Sequence, residues 1–289
     1  MFAPLSSRRR VERVGHDGVV AMTGRVLIIA GSDSGGGAGI QADIKATSAL
    51  GAYAATAITA LTAQNTLGVH GVMPVPLDFI DQQIEVVLGD IGADCIKTGM
   101  LHDSAVIETV LAAIDRDAPD VPMVIDPVMV AKGGAALLQD EAVATLRRLL
   151  LPRAHLLTPN APEAEALAGR SLAEPDDMED LARALLDLGP QAVLLKGGHM
   201  DGAIVRDLLM TQSGMRVFEN PRIDTPHTHG TGCTLASAIA AGIAGGLVLE
   251  AAVEQAEAYL HEAIRTAPGF GGGHGPVNHL HTFRADWRG

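Results

Sequence analysis

Short apolar runs of β-forming residues alternate with helical stretches along almost the whole chain from Arg25 onward. Several of these runs are nearly continuous in Val, Ile, Leu and Ala, which is typical of parallel strands buried on both faces. Seven strands are predicted, in the segments RVLIIAG, ATAITAL, DCIKTGML, PMVIDPVM, HLLTPN, AVLLKGG and IVRDLLMT. Eight helices are predicted near residues 37–50, 78–89, 103–116, 139–150, 161–168, 176–188, 231–246 and 250–267. The alternation predicts a three-layer α/β fold, with a doubly wound, mostly parallel sheet flanked by helices.

The pattern also predicts the domain organisation. No linker rich in Pro, Gly or Ser interrupts the alternation, so residues 23–289 are predicted to form a single domain. Hydrophobic residues make up 47% of the chain and aromatic residues only 3%, which indicates a core built from aliphatic side chains. Residues 1–22 contain several arginines and no apolar segment, and they are predicted to be a disordered N-terminal extension.

Charge and cysteine content narrow the classes of partner. The formal net charge of −13 argues against nucleic acid or an anionic membrane surface as the main partner. The two cysteines, Cys95 and Cys233, do not suggest a disulfide framework, so a reducing cytoplasm is expected. The most apolar stretch, residues 235–253, contains Ser237, Glu250 and three glycines, which favours a buried helix over a membrane span.

Side chains able to contact a ligand follow the predicted strands with regular spacing. They are Asp33, Gln64, Asn65, Met100, Asp126, Asn160, Glu163, Lys196 and His199. In open α/β sheets, ligands bind outside the carboxyl ends of the strands. The sequence therefore predicts a ligand site at that edge of the sheet.

Two motifs near the start of the predicted domain are candidates for binding a polar heterocycle. The segment AGSDSGGGAGIQADIKA, residues 30–46, runs from a strand into a helix, and its glycines allow the backbone to approach a ligand closely. Asp43 is either a solvated carboxylate or a hydrogen-bond acceptor for the ligand. Gln64, in TAQNT, either caps a turn or offers its amide to the edge of an aminopyrimidine.

Carboxylates and a lysine at later strand ends suggest a phosphate and metal site. Asn160 and Glu163 are placed as the cap and first turn of a helix, yet Asp126 and Glu163 could also hold Mg²⁺ through water. Lys196 lies at the end of an apolar strand, where a lysine needs a partner. That partner is either a phosphate or a nearby carboxylate.

The segment HTHGTGCTLASAIAAGIAGG, residues 227–246, places a nearly bare loop before a helix. A helix N-terminus carries unpaired N–H groups and the positive end of the helix dipole, so GTGC is interpreted as an anion cradle. The same field is expected to lower the pKa of Cys233, which could then accept a proton from an attacking hydroxyl. The alternative is a small buried cysteine within an Ala-rich helix.

Taken together, these motifs resemble the hydroxymethylpyrimidine/phosphomethylpyrimidine kinases, a family of the ribokinase-like superfamily. The resemblance rests on GSDSGGGAGIQADIKA, ITALTAQNT, KTGML, DPVMVAKGG, TPNAPEAEAL, KGGH, THGTGC and GPVNHLH, in that order. It implies a ribokinase-like fold and ATP-dependent phosphorylation of 4-amino-5-hydroxymethyl-2-methylpyrimidine. The product monophosphate would then be phosphorylated to the pyrophosphate, for thiamine biosynthesis.

The resemblance also implies a role for each candidate residue. The pyrimidine would be bound by Gly31, Asp43, Gln64 and Met100. ATP would be bound by Asn160, Lys196 and Thr231, and Mg²⁺ by Glu163 and Asp126. Gly230, Gly232 and Cys233 would form the catalytic loop, with Cys233 as the base.

Two other functions compete with this interpretation. Related kinases phosphorylate pyridoxal or pyridoxine, so a vitamin B6 kinase is the nearest alternative. A non-catalytic pyrimidine-binding domain is the second, although Glu163, Lys196 and Cys233 are all retained. In each case we expect a small-molecule ligand and a cytoplasmic homodimer, without nucleic acid or membrane partners.

Overall fold

A computed structural model describes residues 22–130, 137–171 and 177–283 of the chain. The predicted N-terminal extension falls almost entirely on residues 1–21, outside the described residues. The strands are β1 (Arg25–Asp33), β2 (Tyr53–Asn65), β3 (Gly68–Pro74), β4 (Cys95–Thr98), β5 (Met123–Ile125), β6 (Leu156–Leu157), β7 (Ala192–Leu195), β8 (Ile204–Thr211) and β9 (Gly214–Pro221). The α-helices are α1 (Gly39–Ala49), α2 (Leu77–Asp90), α3 (Ser104–Asp117), α4 (Asp140–Thr145), α5 (Ala161–Ala168), α6 (Met178–Leu186), α7 (Thr231–Ala244) and α8 (Leu249–Arg265).

The strands form one sheet in the order β3-β2-β1-β4-β5-β6-β7-β8-β9. The strands from β2 through β7 in this order are parallel to their neighbours, whereas β3, β8 and β9 pair antiparallel at the two ends. The chain moves outward from β1 in one direction to β2 and β3, and then in the other direction from β4 onward. The predicted doubly wound, mostly parallel sheet is therefore confirmed, with its switch point between β1 and β4.

Helices cover both faces of the sheet, as the three-layer prediction requires. Helices α1, α7 and α8 pack on one face, and α2 through α6 pack on the other. The alternation is visible within β1, where Val26 and Ile28 face the first group and Leu27 and Ile29 face the second. Each of these side chains is fully buried, which stabilises the fold by about 1.5–3 kcal/mol per residue.

All seven predicted strands and all eight predicted helices are present, with two differences in detail. Strands β3 and β9 were not predicted, because both are largely exposed and lack a continuous apolar run. The helix predicted at 139–150 is α only over Asp140–Thr145. It continues as a π turn at Leu146–Leu150 and a short 3₁₀ turn at Leu151–Arg153, where Pro152 lacks the N–H that a longer helix needs.

Within the described ranges, no helix is both long and apolar enough to cross a membrane. Helix α7 instead lies inside the protein, packed against β1, β4 and β5. Its N-terminus therefore points toward the carboxyl ends of the central strands.

Candidate active site

A cavity opens at the carboxyl ends of the central strands and encloses about 810 Å³, counted to its open mouth. It is lined by the predicted site residues Gly31, Gln64, Met100, Asp126, Asn160, Glu163, Lys196, Gly230, Gly232 and Cys233. Thr231 lines a second cavity, and Asp43 lines neither. The strand ends thus bring together most of the side chains that the sequence predicted.

The first glycine loop is organised by Asp33, at the end of β1. Its carboxylate accepts hydrogen bonds from the backbone N–H groups of Gly35, Gly37 and Ala38, and it lies 2.9 Å from Nε2 of His229. Burial alone raises the pKa of Asp33, but these hydrogen bonds outweigh it and lower the pKa. No role was predicted for His229 from the sequence, although the residue belongs to the THGTGC motif.

The second glycine loop lies directly against the first. Gly230 is the N-cap of α7 and has a φ of +81°, in the left-handed region that favours glycine. A Cβ at this position would collide with the carbonyl oxygen of Gly37. No side chain of the described chain caps this helix end, and only the N–H of Thr231 bonds to a backbone carbonyl, that of Thr228, so the N–H groups of Gly232 and Cys233 can receive an anion.

Cys233 lies in the first turn of α7, half-buried in the cavity wall. The expected lowering of its pKa is wrong. Burial raises the pKa of the Cys233 thiol to about 12, and the positive charge of Lys97 offsets this only in part. The nearby carboxylates of Asp43 and Asp126 raise it further. The thiol is thus neutral at physiological pH before a ligand binds.

Asp43 requires a correction. Its side chain is fully buried and accepts hydrogen bonds from Nζ of Lys97 at 2.9 and 3.0 Å and from the Ser237 hydroxyl at 2.7 Å. Burial alone lowers the pKa of Lys97, but the charge and hydrogen bond of Asp43, together with the other nearby acidic groups, outweigh it and the pKa is raised. Because Lys97 lines the cavity and Asp43 does not, the direct contact between Asp43 and the ligand is not supported. The pair lies beneath the site, and Lys97 was missed by the sequence analysis.

Three charged side chains meet near the ends of β5, β6 and β7. Nζ of Lys196 lies 3.3 Å from Oδ1 of Asp126, and Glu163 also lines the cavity. Burial raises the pKa of Glu163 to about 7, opposed by the charge of Lys196 and reinforced by that of Asp126. Burial lowers the pKa of Lys196, but Asp126 and Glu163 outweigh it and the pKa is raised.

Asn160 and Glu163 also form the start of α5, so the two interpretations of Glu163 coexist. Oδ1 of Asn160 accepts the N–H of Glu163, and Oε2 of Glu163 accepts the N–H of Asn160, which is a capping box. The backbone N–H of Met129 also donates to the Glu163 carboxylate, which further fixes its position in the cavity wall. Across the described ranges, no cluster of three or more His, Cys, Asp or Glu is arranged to hold a metal ion.

The two carboxylates Asp126 and Glu163 nevertheless fit Mg²⁺. This ion takes few protein carboxylates when water and phosphate complete its shell. A divalent cation beside Glu163 would also favour the ionised form of a carboxyl group whose pKa is now raised.

A second cavity of about 1000 Å³, counted to its open mouth, adjoins the first at Asn160 and Lys196. Its lining also includes Gly198, His199, Val205, Asp207, Asn220, Arg222, Thr231, Glu257, Leu260 and Ile264. Arg222 donates hydrogen bonds to the backbone carbonyls of Gly198, Met200 and Gly202 and so holds the turn after β7. The glycine-rich start of α7 separates the two cavities.

The Asp43–Lys97 pair yields a stability prediction. Asp43→Asn leaves the buried charge of Lys97 without its partner, so we expect the free energy of unfolding to fall by about 3–5 kcal/mol in urea. The double variant Asp43→Asn/Lys97→Met should recover most of that loss. Asp94→Asn, which breaks an exposed pair with Arg25, is the control and should cost about 1 kcal/mol or less. If Asp43→Asn kept the stability of the parent but lost affinity for the ligand, Asp43 would instead be a residue that contacts the ligand directly.

The glycines of the α7 loop yield a second prediction. Gly230→Ala should lower the free energy of unfolding by at least about 2 kcal/mol, because it adds left-handed strain and a collision with Gly37. Gly232→Ala should change it by less than about 1 kcal/mol, because its Cβ would lie 3.3 Å from Nζ of Lys196, at the open cavity. Urea denaturation measures both. Equal losses of unfolding free energy in the two variants would mean that the close approach of the two loops does not restrict position 230.

A family model and the curated relatives of this chain indicate the same protein family. Residues 33–278 match the family described as phosphomethylpyrimidine kinase. The chain is 49% identical over 257 residues to the hydroxymethylpyrimidine/phosphomethylpyrimidine kinase of Bacillus subtilis (strain 168), covering 89% of this chain and 94% of that protein.

Two solved structures show the same fold. The phosphomethylpyrimidine kinase of Clostridium difficile 630 superposes with a TM-score of 0.74 and 41% identity, over 83% of this chain and 99% of that one. An ADP complex of Bacillus subtilis pyridoxal kinase gives a TM-score of 0.83 and 37% identity, over 89% and 98% of the two chains. From its fold, its strand-end cavity and these similarities, the chain belongs to the phosphomethylpyrimidine kinase family.

Proposed function

We propose that this protein transfers the γ-phosphoryl group of ATP to the hydroxyl of 4-amino-5-hydroxymethyl-2-methylpyrimidine, and then phosphorylates the product to the pyrophosphate. The observation that carries the proposal is the uncapped N-terminus of α7, placed between two cavities that share Lys196. This arrangement suits a reaction in which negative charge moves from one bound molecule to another. The family membership and the curated relatives support the same activity.

The first cavity is proposed to hold the pyrimidine. Gln64 lines this cavity, and its Oε1 lies 3.2 Å from the Thr62 hydroxyl oxygen. Met100 offers an apolar surface, and its side chain packs so closely on Gly31 that a Cβ at that position would collide with it. Gly31 therefore leaves room for Met100 to form the floor of the pocket.

The second cavity is proposed to hold ATP, with its phosphates directed toward the start of α7. Asn160 and Lys196 are neighbours at the ends of β6 and β7, joined by backbone pairing, and both line the two cavities. Thr231 begins α7 and faces the second cavity. Lys196 can thus neutralise charge on the phosphoryl group during transfer. Complexes of the structurally similar pyridoxal kinases with ADP support nucleotide binding by this fold.

Asp126 and Glu163 are the residues proposed to hold Mg²⁺. When bound, the ion would neutralise phosphate charge and fix the phosphates in line with the acceptor. Asp126 also pairs with Lys196, so the same carboxylate orients the lysine. Glu163 is fixed at the start of α5 by its capping box, which restricts its position.

Cys233 is proposed to accept the proton of the attacking hydroxyl. Its raised pKa means that only a small fraction is thiolate at neutral pH, so positioning and electrostatic stabilisation supply most of the rate enhancement. Lys97 is the cation placed to stabilise the thiolate, which becomes the neutral thiol when it takes this proton. Gly230 and Gly232 keep the adjacent backbone open to the phosphoryl group.

Vitamin B6 kinase activity is the second candidate. Two pyridoxal kinase structures superpose with TM-scores of 0.83, above the 0.74 of the phosphomethylpyrimidine kinase structure. The curated relatives at 46–49% identity, however, are pyrimidine kinases and not pyridoxal kinases. Joint retention of Glu163, Lys196 and Cys233 in one cavity argues against a non-catalytic domain.

We further propose a homodimer that works in the cytoplasm. The apolar side chains exposed on β3 and α2, Val72, Met73, Leu77, Phe79 and Val86, support a face that a second copy could cover. The reduced state of both cysteines is compatible with this compartment.

The substrate assignment predicts ADP release with the pyrimidine alcohol and with its monophosphate, both above the background with ATP alone. A coupled assay with these two substrates and pyridoxal measures it. Release with pyridoxal alone would replace the proposal with vitamin B6 kinase. Calorimetric binding of the pyrimidine without any turnover would instead indicate a binding domain.

The role of Cys233 predicts a selective loss of rate. Cys233→Ser should lower kcat by about 10²-fold, because general-base help is removed while the glycine loop remains. The KM values for ATP and pyrimidine should stay within about threefold of the parent. Cys233→Asp, which supplies a carboxylate acceptor, should recover part of the rate. Parental turnover by Cys233→Ser would reduce the thiol to a packing residue.

A further inference from the structure

Two carboxyl groups, Asp207 and Glu257, share the wall of the second cavity and have no part in the chemistry described above. Asp207 lies on β8 and Glu257 on α8, and they are only 6% and 8% exposed. Two adjacent buried carboxylates repel each other strongly unless a proton or a cation is shared between them. The pair therefore needs a physical explanation.

The surroundings of Glu257 favour a protonated carboxyl group. Oδ1 of Asp207 accepts the backbone N–H of Gly197 at 2.8 Å, and Oε2 of Glu257 accepts the side-chain amide of Asn220 at 3.0 Å. Oε1 of Glu257 is buried and receives no hydrogen bond from any donor in the described part of the chain. As an ionised oxygen it would be unsatisfied, whereas as an O–H it donates to Asp207. Burial, followed by the charge of Asp207, raises the pKa of Glu257 to about 9.

The position of this pair connects it to the phosphate end of the cavity. Gly197 directly follows Lys196, so Asp207 fixes the backbone that carries the lysine. A neutral Glu257 also limits the wall to one negative charge where a polyanion is proposed to bind. Both effects depend on the same proton.

We propose that Asp207 and Glu257 share one proton and act as a positioning pair for nucleotide binding, holding the Lys196–Gly197 turn and limiting the negative charge of the cavity wall. The inference rests on the proposed use of the second cavity by ATP. Loss of the proton at alkaline pH places a second negative charge in the wall and removes the hydrogen bond between the two side chains. Nucleotide affinity then falls.

Other charged groups face the same region. Lys196 comes from the end of β7, and His199 and Arg222 come from the turns after β7 and β9. Helix α8 contributes His261, while its exposed Glu254 pairs with Arg216. Substitutions at positions 207 and 257 leave all of these groups in place, so a transition that they cause would persist in the variants.

A proton on Glu257 also makes the stability of the folded protein depend on pH. Between the ordinary pKa of a glutamate and about 9, the folded protein keeps a proton that the unfolded chain has released. The contribution of Glu257 to stability therefore falls as pH rises through that window. Glu257→Gln should flatten this part of the dependence of Tm on pH, because its amide cannot ionise.

Calorimetric titration with ADP, without metal, tests the proposal between about pH 7.5 and about pH 10. The parent should lose about tenfold in affinity as the second charge develops. Glu257→Gln should bind within about threefold of the parent at the lower pH, because its amide donates to Asp207 and accepts from Asn220. It should show little further loss at the higher pH. Glu254→Gln removes an exposed charge from the same helix and should behave like the parent.

Asp207→Asn is the second variant, because it also removes the second ionisation while keeping an acceptor for Gly197. Infrared spectroscopy should detect a protonated carboxyl group in the parent at neutral pH that is missing in Glu257→Gln. Failure of ADP to bind the parent at the lower pH would contradict the proposed function. Binding by the parent and both variants with the same pH dependence would overturn the shared proton while leaving that function intact.

Discussion

The close approach of two glycine loops is the constraint on which the rest of the site depends. Gly230 packs against the carbonyl oxygen of Gly37, and the Asp33–His229 contact joins the same two loops through their side chains. One loop ends β1 and the other begins α7, so this contact fixes the helix N-terminus above the carboxyl ends of the sheet. In the proposed reaction, a phosphoryl acceptor bound in the first cavity and a phosphoryl donor bound in the second would reach the same backbone N–H groups.

Around this contact, the buried cations are balanced by carboxylates. Lys97 is neutralised by Asp43, and Lys196 lies beside Asp126 and Glu163. Such pairs contribute little net stability, because desolvation offsets most of their attraction. They hold charge in fixed positions, so that the proposed transfer of a phosphoryl group between the cavities would need little reorganisation.

Cys233 shows two physical effects in competition. A helix N-terminus lowers the pKa of a nearby thiol, whereas burial raises it, and here burial is stronger. The balance depends on how deeply the first turn of α7 is packed against Lys97 and Asp126. The catalytic role proposed for the thiol therefore relies on orientation more than on a ready supply of thiolate.

The sequence by itself determined the order of strands and helices, the glycine loops and the group of residues at the strand ends. Buried parallel strands are nearly continuous in apolar residues, and the polar residues of a ligand site interrupt that pattern. Both features can therefore be recognised in the amino-acid sequence. Only the tertiary structure decided which charges pair. Asp43 pairs with Lys97, which lines the first cavity whereas Asp43 does not, and Asp207 lies against Glu257 from 50 positions along the chain. Pairing of this kind depends on distance and burial, which residue types and spacing do not encode.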